Sequence, residues 1–225
     1  QLYNKKDEIF YGNKYLYGYD VPKDYLRAIK YYIISANNGN KDAFKKLGDI
    51  YFKGIGNKKD FSKAKYYYEK SNNSKALVKL GDLYFYGYGV EQDYLKAKKY
   101  YELASIFYDR LSIEYNSKAF LKLGDIYYNG FGLQKNIIKA LDYYAISAKY
   151  KNPVALFKLG EIYSIGCIVD INIKKSITYY DECIKCDTIF SLLKNLPDWN
   201  PKSSQFIIKP NKYNRIANNN LGLIH

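Results

Sequence analysis

The sequence predicts an all-α protein made of stacked helix pairs. Three observations predict it: a repeated cassette, capping residues at fixed offsets, and apolar stripes of helical period. The cassette reads loosely Lys-Leu-Gly-Asp-x-Tyr-x-x-Gly-x-Gly, then Asp or Asn, then Ala-x-x-Tyr-Tyr. Its first glycine falls at Gly12, Gly48, Gly81, Gly124 and Gly160, with gaps of 36, 33, 43 and 36 residues. A period in this range is the mark of a repeat array, in which each unit buries its core against its neighbours.

Each element follows from residues in order. Asn4, Asn40, Asn73, Asn116 and Asn152 stand before the first helix of each repeat. An asparagine there accepts a hydrogen bond from a free backbone N–H of the first turn. Pro153 takes the first helical position, where its missing N–H costs nothing. Within the helix, Ala43, Leu47 and Tyr51 recur at i, i+4 and i+8, the spacing of a buried face. Gly48 interrupts that helix at a cost of about 1 kcal/mol against alanine. Its recurrence in every repeat calls for close approach of a neighbouring helix. Gly54 stops the helix at positive φ, Gly56 turns the chain, and Asp60 caps the second helix. Asp24, Asp93, Asn136 and Asn172 occupy the same capping position.

The second helix carries Ala64, Tyr68 and Ser71 inward. Of each tyrosine pair, the second member (Tyr32, Tyr68, Tyr101, Tyr144, Tyr180) is expected in the core and the first against the next repeat. The long third gap holds seven extra residues around 102–115. Seven residues make about two helical turns, so one long second helix is predicted there. The five repeats are placed at 4–39, 40–72, 73–115, 116–151 and 152–186. Beyond them, 187–225 reads as a capping helix with Ile189, Phe190, Leu192 and Leu193, stopped by Pro197, then an extended arm. At the other end Asn4 opens a helix with no capping segment. The array is therefore expected to continue there or to meet another subunit on an uncapped face.

These residues resemble the Sel1-like repeat, a relative of the tetratricopeptide repeat. Ala43, Leu47, Gly48, Tyr51, Gly54, Gly56, Ala64 and Tyr68 all match, and the resemblance runs from residue 4 to about 186. The first repeat departs at Asp7 and Asp20, the fifth at Ile168 and Ser176. The resemblance implies a right-handed α/α superhelix (a solenoid) that acts as a protein–protein adaptor or scaffold.

Composition narrows the partners. The formal net charge is +14, but only Arg27, Arg110 and Arg215 are arginines. Arginine is the residue suited to bidentate phosphate contacts, so its scarcity argues against specific nucleic-acid recognition. A basic polyanion binder, or a structural subunit of a larger assembly, is the alternative to the scaffold. The three cysteines, Cys167, Cys183 and Cys186, form no disulfide framework. Cys183 falls where other repeats carry Ser35, Ser71, Ala104 and Ser147, a small packed position, which points to a reduced thiol and a reducing compartment. No apolar run reaches the length of a bilayer span. The single histidine is His225, so no Ser-His-Asp or Cys-His set can be assembled, and neither enzyme activity, a cofactor, a metal nor a small-molecule substrate is expected.

If first helices line a concave face, as the tetratricopeptide likeness implies, the candidate partner-binding residues are Lys45, Asp49 and Phe52; Val78, Asp82 and Phe85; Leu121, Asp125 and Tyr128; Phe157 and Glu161. Asp49, Asp82, Asp125 and Glu161 form an acidic row after the core glycine. Lys46, Lys79, Lys122 and Lys158 each precede an acid by three residues. They read either as i, i+3 surface ion pairs or as part of a polar groove for a peptide. On the groove reading, reversing Asp82 and Asp125 weakens a partner without unfolding the array.

Overall fold

The computed structural model describes residues 7–106, 113–166 and 170–186. Among them lie ten helices and no strand. Five antiparallel pairs follow one another: α1 (Asp7–Tyr17) with α2 (Tyr25–Asn37), α3 (Lys41–Lys53) with α4 (Phe61–Ser71), α5 (Ser74–Tyr86) with α6 (Tyr94–Ser105), α7 (Ile113–Asn129) with α8 (Ile137–Lys149), and α9 (Pro153–Ile165) with α10 (Ile173–Ile184). The chain divides into two compact units. One holds the described residues up to Ala119 with Phe131–Leu133; the other holds Phe120–Gly130 with the described residues from Gln134 on. The predicted cap helix and arm at 187–225, with Asn4, Cys167 and Ile168, lie outside the described residues.

The helix ends are set by side chains. Asn40, Asn73 and Asn152 cap first helices, and Asp24, Asp60, Asp93, Asn136 and Asn172 cap second helices, each accepting backbone N–H groups of the first turn. Gly54, Gly87 and Gly166 close first helices in the left-handed region, at φ 72°, 70° and 67°. Asp20, standing where other repeats place the last glycine, takes φ 56° itself. Aspartate is among the few side-chain-bearing residues that tolerate that region.

Two expectations are corrected here. Asn116 is not a cap. It lies inside α7, which begins at Ile113. The seven extra residues do not lengthen the second helix either: α6 ends at Ser105 with Ile106 as its cap, and part of the surplus joins the start of α7. The cause is local. Gly39, Asn72 and Lys151 hold positive φ immediately before the caps Asn40, Asn73 and Asn152, which breaks the helical path. Tyr115 precedes Asn116 without any turn-forming residue, so the helix runs on upstream.

Within each pair the tyrosines divide the work. Tyr32, Tyr68, Tyr101 and Tyr144 are fully buried. The other member of each pair, expected against the next repeat, makes its stacking contact within its own. It stacks on a tyrosine of the first helix in its own repeat: Tyr31 on Tyr15, Tyr67 on Tyr51, Tyr100 on Tyr84, Tyr143 on Tyr127 and Tyr179 on Tyr163, with interplanar angles of 7–19°. A cation from the first turn of the second helix (Arg27, Lys63, Lys96, Lys139 or Lys175) sits 4.5–5.5 Å from the centre of that first-helix ring. A cation over a ring face gains about 0.5–1 kcal/mol where exposed. Neighbouring pairs join through apolar contact: Leu47, Ala43 and Ile50 of α3 enter one core with Ile29, Tyr32 and Ala36 of α2.

Candidate partner-binding face

The core glycine explains the geometry of the acidic row. A Cβ built on Gly48 would lie 2.6 Å from Cδ1 and Cε1 of Tyr68. Gly12, Gly81, Gly124 and Gly160 meet Tyr32, Tyr101, Tyr144 and Tyr180 in the same way. Glycine lets the ring lie flat on the backbone of the partner helix. The hydroxyl then reaches the residue after the glycine. Tyr68 donates to Asp49 at 2.9 Å, Tyr101 to Asp82 at 3.0 Å and Tyr144 to Asp125 at 2.9 Å, each across 19 residues. In the first pair Tyr32 donates to Asn13 at 2.9 Å. The helix-packing glycine, the acid and the tyrosine therefore form one repeating unit.

The acids carry second bonds as well. Lys75 of α5 donates to Asp49 of α3 at 2.9 Å, Lys79 to Asp82 at 3.0 Å, and Lys158 of α9 approaches Asp125 of α7 at 3.3 Å. Only the Lys79–Asp82 pair among these has the expected i, i+3 spacing; Asp49 and Asp125 take their lysines from the next repeat. Lys46 instead donates to the Tyr17 hydroxyl at 2.8 Å. The side chains of Asp49, Asp82 and Asp125 are 17%, 14% and 18% exposed. They are braces between helices more than an open acidic ladder, so reversing Asp82 and Asp125 is expected to cost stability, against the sequence expectation.

Burial raises the pKa of the Tyr68 and Tyr144 hydroxyls far above the ordinary phenol value, and the charge and hydrogen bond of Asp49 or Asp125 add to it. Lys75 is held above its usual value: burial lowers it, but the hydrogen bond and charge of Asp49 and the neighbouring Tyr115 outweigh that. Glu161, half-buried, is raised by desolvation, with Lys158 opposing.

The other candidates are placed as follows. Lys45 pairs with Asp42 at 3.0 Å. Phe52 packs against Phe61 and Tyr88, with the Lys79 ammonium 5.2 Å from its ring centre. Val78 is buried, at 4% exposure, contrary to the expectation of an open position. It is one of seven buried residues of α5. Phe85 lies among Tyr86, Tyr94 and Phe131. In the other unit Leu121 is half-buried. Tyr128 tilts against Tyr144 with Lys135 over its ring. Phe157 is 41% exposed beside Tyr180. Sequence reasoning missed the tyrosine hydroxyls as acid partners, although the constant 19-residue offset was present to be read. It also missed a cavity of about 380 Å3 bordered by Lys45, Lys46, Lys53, Lys75, Asp49 and Tyr17. Cys183 matches the packed reading: it is buried and donates to the Pro153 carbonyl at 3.2 Å. Among the described residues no group of three or more His, Cys, Asp or Glu side chains is placed to hold a metal, and no helix is long and apolar enough to cross a membrane.

Comparison with known proteins bears on this arrangement. The Sel1 repeat model matches residues 8–40, 45–73, 74–105, 117–149 and 153–182. A Sel1 repeat protein from Oxalobacter formigenes superposes with a TM-score of 0.73 at 25% identity, over 96% of this chain and 88% of that one. The protein c5321, a protective antigen present in uropathogenic Escherichia coli strains that displays an SLR fold, superposes with a TM-score of 0.72 at 26% identity. That match covers 85% of this chain but 40% of the antigen, so this chain spans less than half of its length. No curated protein sequence matches significantly.

Proposed function

The chain belongs to the Sel1 repeat family, and we propose that it is a non-catalytic scaffold that binds a protein or peptide on the exposed parts of its first helices. Sel1 repeat proteins are generally protein–protein interaction scaffolds. The observation that carries the reading is how the titratable groups are used. Asp49, Asp82 and Asp125 already accept tyrosine hydroxyls and lysines, so these three carboxylates serve as hydrogen-bond acceptors within the fold and not as a pair poised for acid–base work. What the first helices offer instead is partly exposed lysine and aromatic surface, at Lys45, Phe52 and Phe85 in one unit and Tyr128 and Phe157 in the other. Such surface suits recognition by contact.

A photo-crosslinking residue placed singly at Lys45 or Phe157, with the exposed Lys99 of α6 as control, tests this in native extract. Discrete adducts from the first-helix positions and none from position 99 are expected. Equal adducts from all three positions, or none from any, contradict the reading.

One observation favours assembly as a second reading. On α1, Phe10 and Tyr11 are 61% and 43% exposed, whereas Leu47, Leu80, Leu123 and Leu159, which align with Tyr11, are buried. Self-association or a partner subunit on that face would cover them. Light scattering of the parent and of Phe10→Lys decides: an oligomer in the parent that the substitution dissociates supports assembly through α1, and a monomer at all concentrations opposes self-assembly there.

A further inference from the structure

We infer that the cavity between the end of α1 and helices α3 and α5 is a docking site for an acidic peptide segment, with an apolar side chain beside its carboxylate. This deepens the scaffold reading and rests on it. The cavity holds about 380 Å3, at the lower end of the range for ligand pockets. Its walls carry four lysines, Lys45, Lys46, Lys53 and Lys75, against one carboxylate, Asp49. Both Asp49 oxygens are occupied, Oδ1 by the Tyr68 hydroxyl and Oδ2 by Lys75. Asp42, outside the lining, pairs with Lys45. Two ammonium groups then stand without a carboxylate among the described residues. Lys46 is bonded to a neutral phenol, Tyr17, and lies 5.1 Å from that ring's centre; Lys53 is exposed on the last turn of α3.

Leu16, Ile50 and Ile55 line the cavity beside the lysines. Ammonium groups next to aliphatic side chains are complementary to a carboxylate flanked by an aliphatic or aromatic side chain. Charge complementarity of this kind fixes register and raises the association rate. Nucleic acid fits less well, because the lining contains no arginine for bidentate phosphate contact. One reading of the sequence is a polar, partly acidic groove for a peptide. At this place lysines outnumber carboxylates, and the one lining acid, Asp49, is already bonded to Tyr68 and Lys75.

Selection from a random peptide display library on the immobilised chain tests the inference, with Lys46→Glu/Lys53→Glu and Lys99→Glu/Lys174→Glu as variants of equal charge change. The expected result is enrichment of peptides pairing Glu or Asp with Leu, Ile or Phe. Their affinity should fall about tenfold or more in the first variant and stay close to the parent in the second. Matching thermal unfolding of the two variants establishes that both are folded; if the first variant unfolds early, Lys53→Gln alone replaces it. Enrichment of basic or neutral peptides overturns this inference and leaves the scaffold reading standing. Equal weakening by both variants overturns the site in favour of diffuse charge attraction. Binding of polyuridine RNA that Lys46→Glu/Lys53→Glu abolishes, with no acidic peptide enriched, overturns the peptide occupant in favour of nucleic acid. Enrichment of nothing over a blank surface counts against both this site and the scaffold reading.

Discussion

Replacing Gly48 with alanine inverts an ordinary rule. In a helix interior alanine is better than glycine by about 1 kcal/mol. At Gly48, however, the new methyl would lie 2.6 Å from two carbons of the Tyr68 ring, where ordinary contact begins at 3.4 Å. The ring is fully buried and its hydroxyl is fixed to Asp49 at 2.9 Å. If the ring shifts, it strains or loses a hydrogen bond to a charged acceptor, a loss of about 1.5–3 kcal/mol. If it stays, overpacking costs about 1–3 kcal/mol. Set against the gain in propensity, these costs leave Gly48→Ala destabilising by about 0–2 kcal/mol, and by at least about 0.5 kcal/mol where the hydrogen bond is lost. In a Tyr68→Leu background the ring is gone, and the same substitution should turn neutral or stabilising by up to about 1 kcal/mol. Guanidinium unfolding followed by far-UV circular dichroism, compared at constant slope, reads the sign directly. A higher midpoint for Gly48→Ala in the parent would refute the idea that ring-on-glycine contact sets this position.

Two further outcomes follow from the same braces and from the packed thiol. Because Tyr68 and Tyr144 have folded pKa values raised above the free phenol value of 10.0, their contribution is fully present below that value. It is lost as the pH rises beyond it, since the unfolded chain then releases protons that the folded chain retains. Thermal midpoints should drop on passing above about pH 10, and less so in Tyr68→Phe/Tyr144→Phe; an identical drop in that variant would contradict the assignment. Burial pushes the Cys183 thiol up to about 11, with Cys186 adding to it, so iodoacetamide at neutral pH should label Cys186 well before Cys183. Mass spectrometry showing Cys183 labelled first would contradict its packing.

Much of the fold was legible because local and tertiary demands fall on the same residues. Asn40, Asn73 and Asn152 are caps by chemistry alone, and Gly54 and Gly87 are stops by φ alone. The alanines at 28, 64, 97 and 140, all fully buried, were legible from spacing. What escaped the sequence depends on contacts that cross a turn or a repeat. Nothing local to Asp49 says that one oxygen meets Tyr68 on the partner helix and the other meets Lys75 in the next repeat, yet these bonds turn an apparently open acid into a brace. The lysines at i−3 suggested a local pair, but Lys46 finds a phenol instead. Asn116 misled because capping chemistry was present without the preceding positive-φ residue that ends the helical path elsewhere. Val78 was placed on the open face because helical phase alone does not show which positions beside the packing stripe neighbouring elements cover.

The most direct test of the central claim, that the recurring acid after the core glycine is a structural brace, is the thermal unfolding of Asp82→Lys by circular dichroism. This change removes the acceptor of the Tyr101 hydroxyl and places a second cation beside Lys79. A midpoint lowered by several degrees with a broadened transition is expected, since loss of a buried charged hydrogen bond costs about 1.5–3 kcal/mol. An unfolding curve that overlays the parent would contradict the claim and return Asp82 to the open surface.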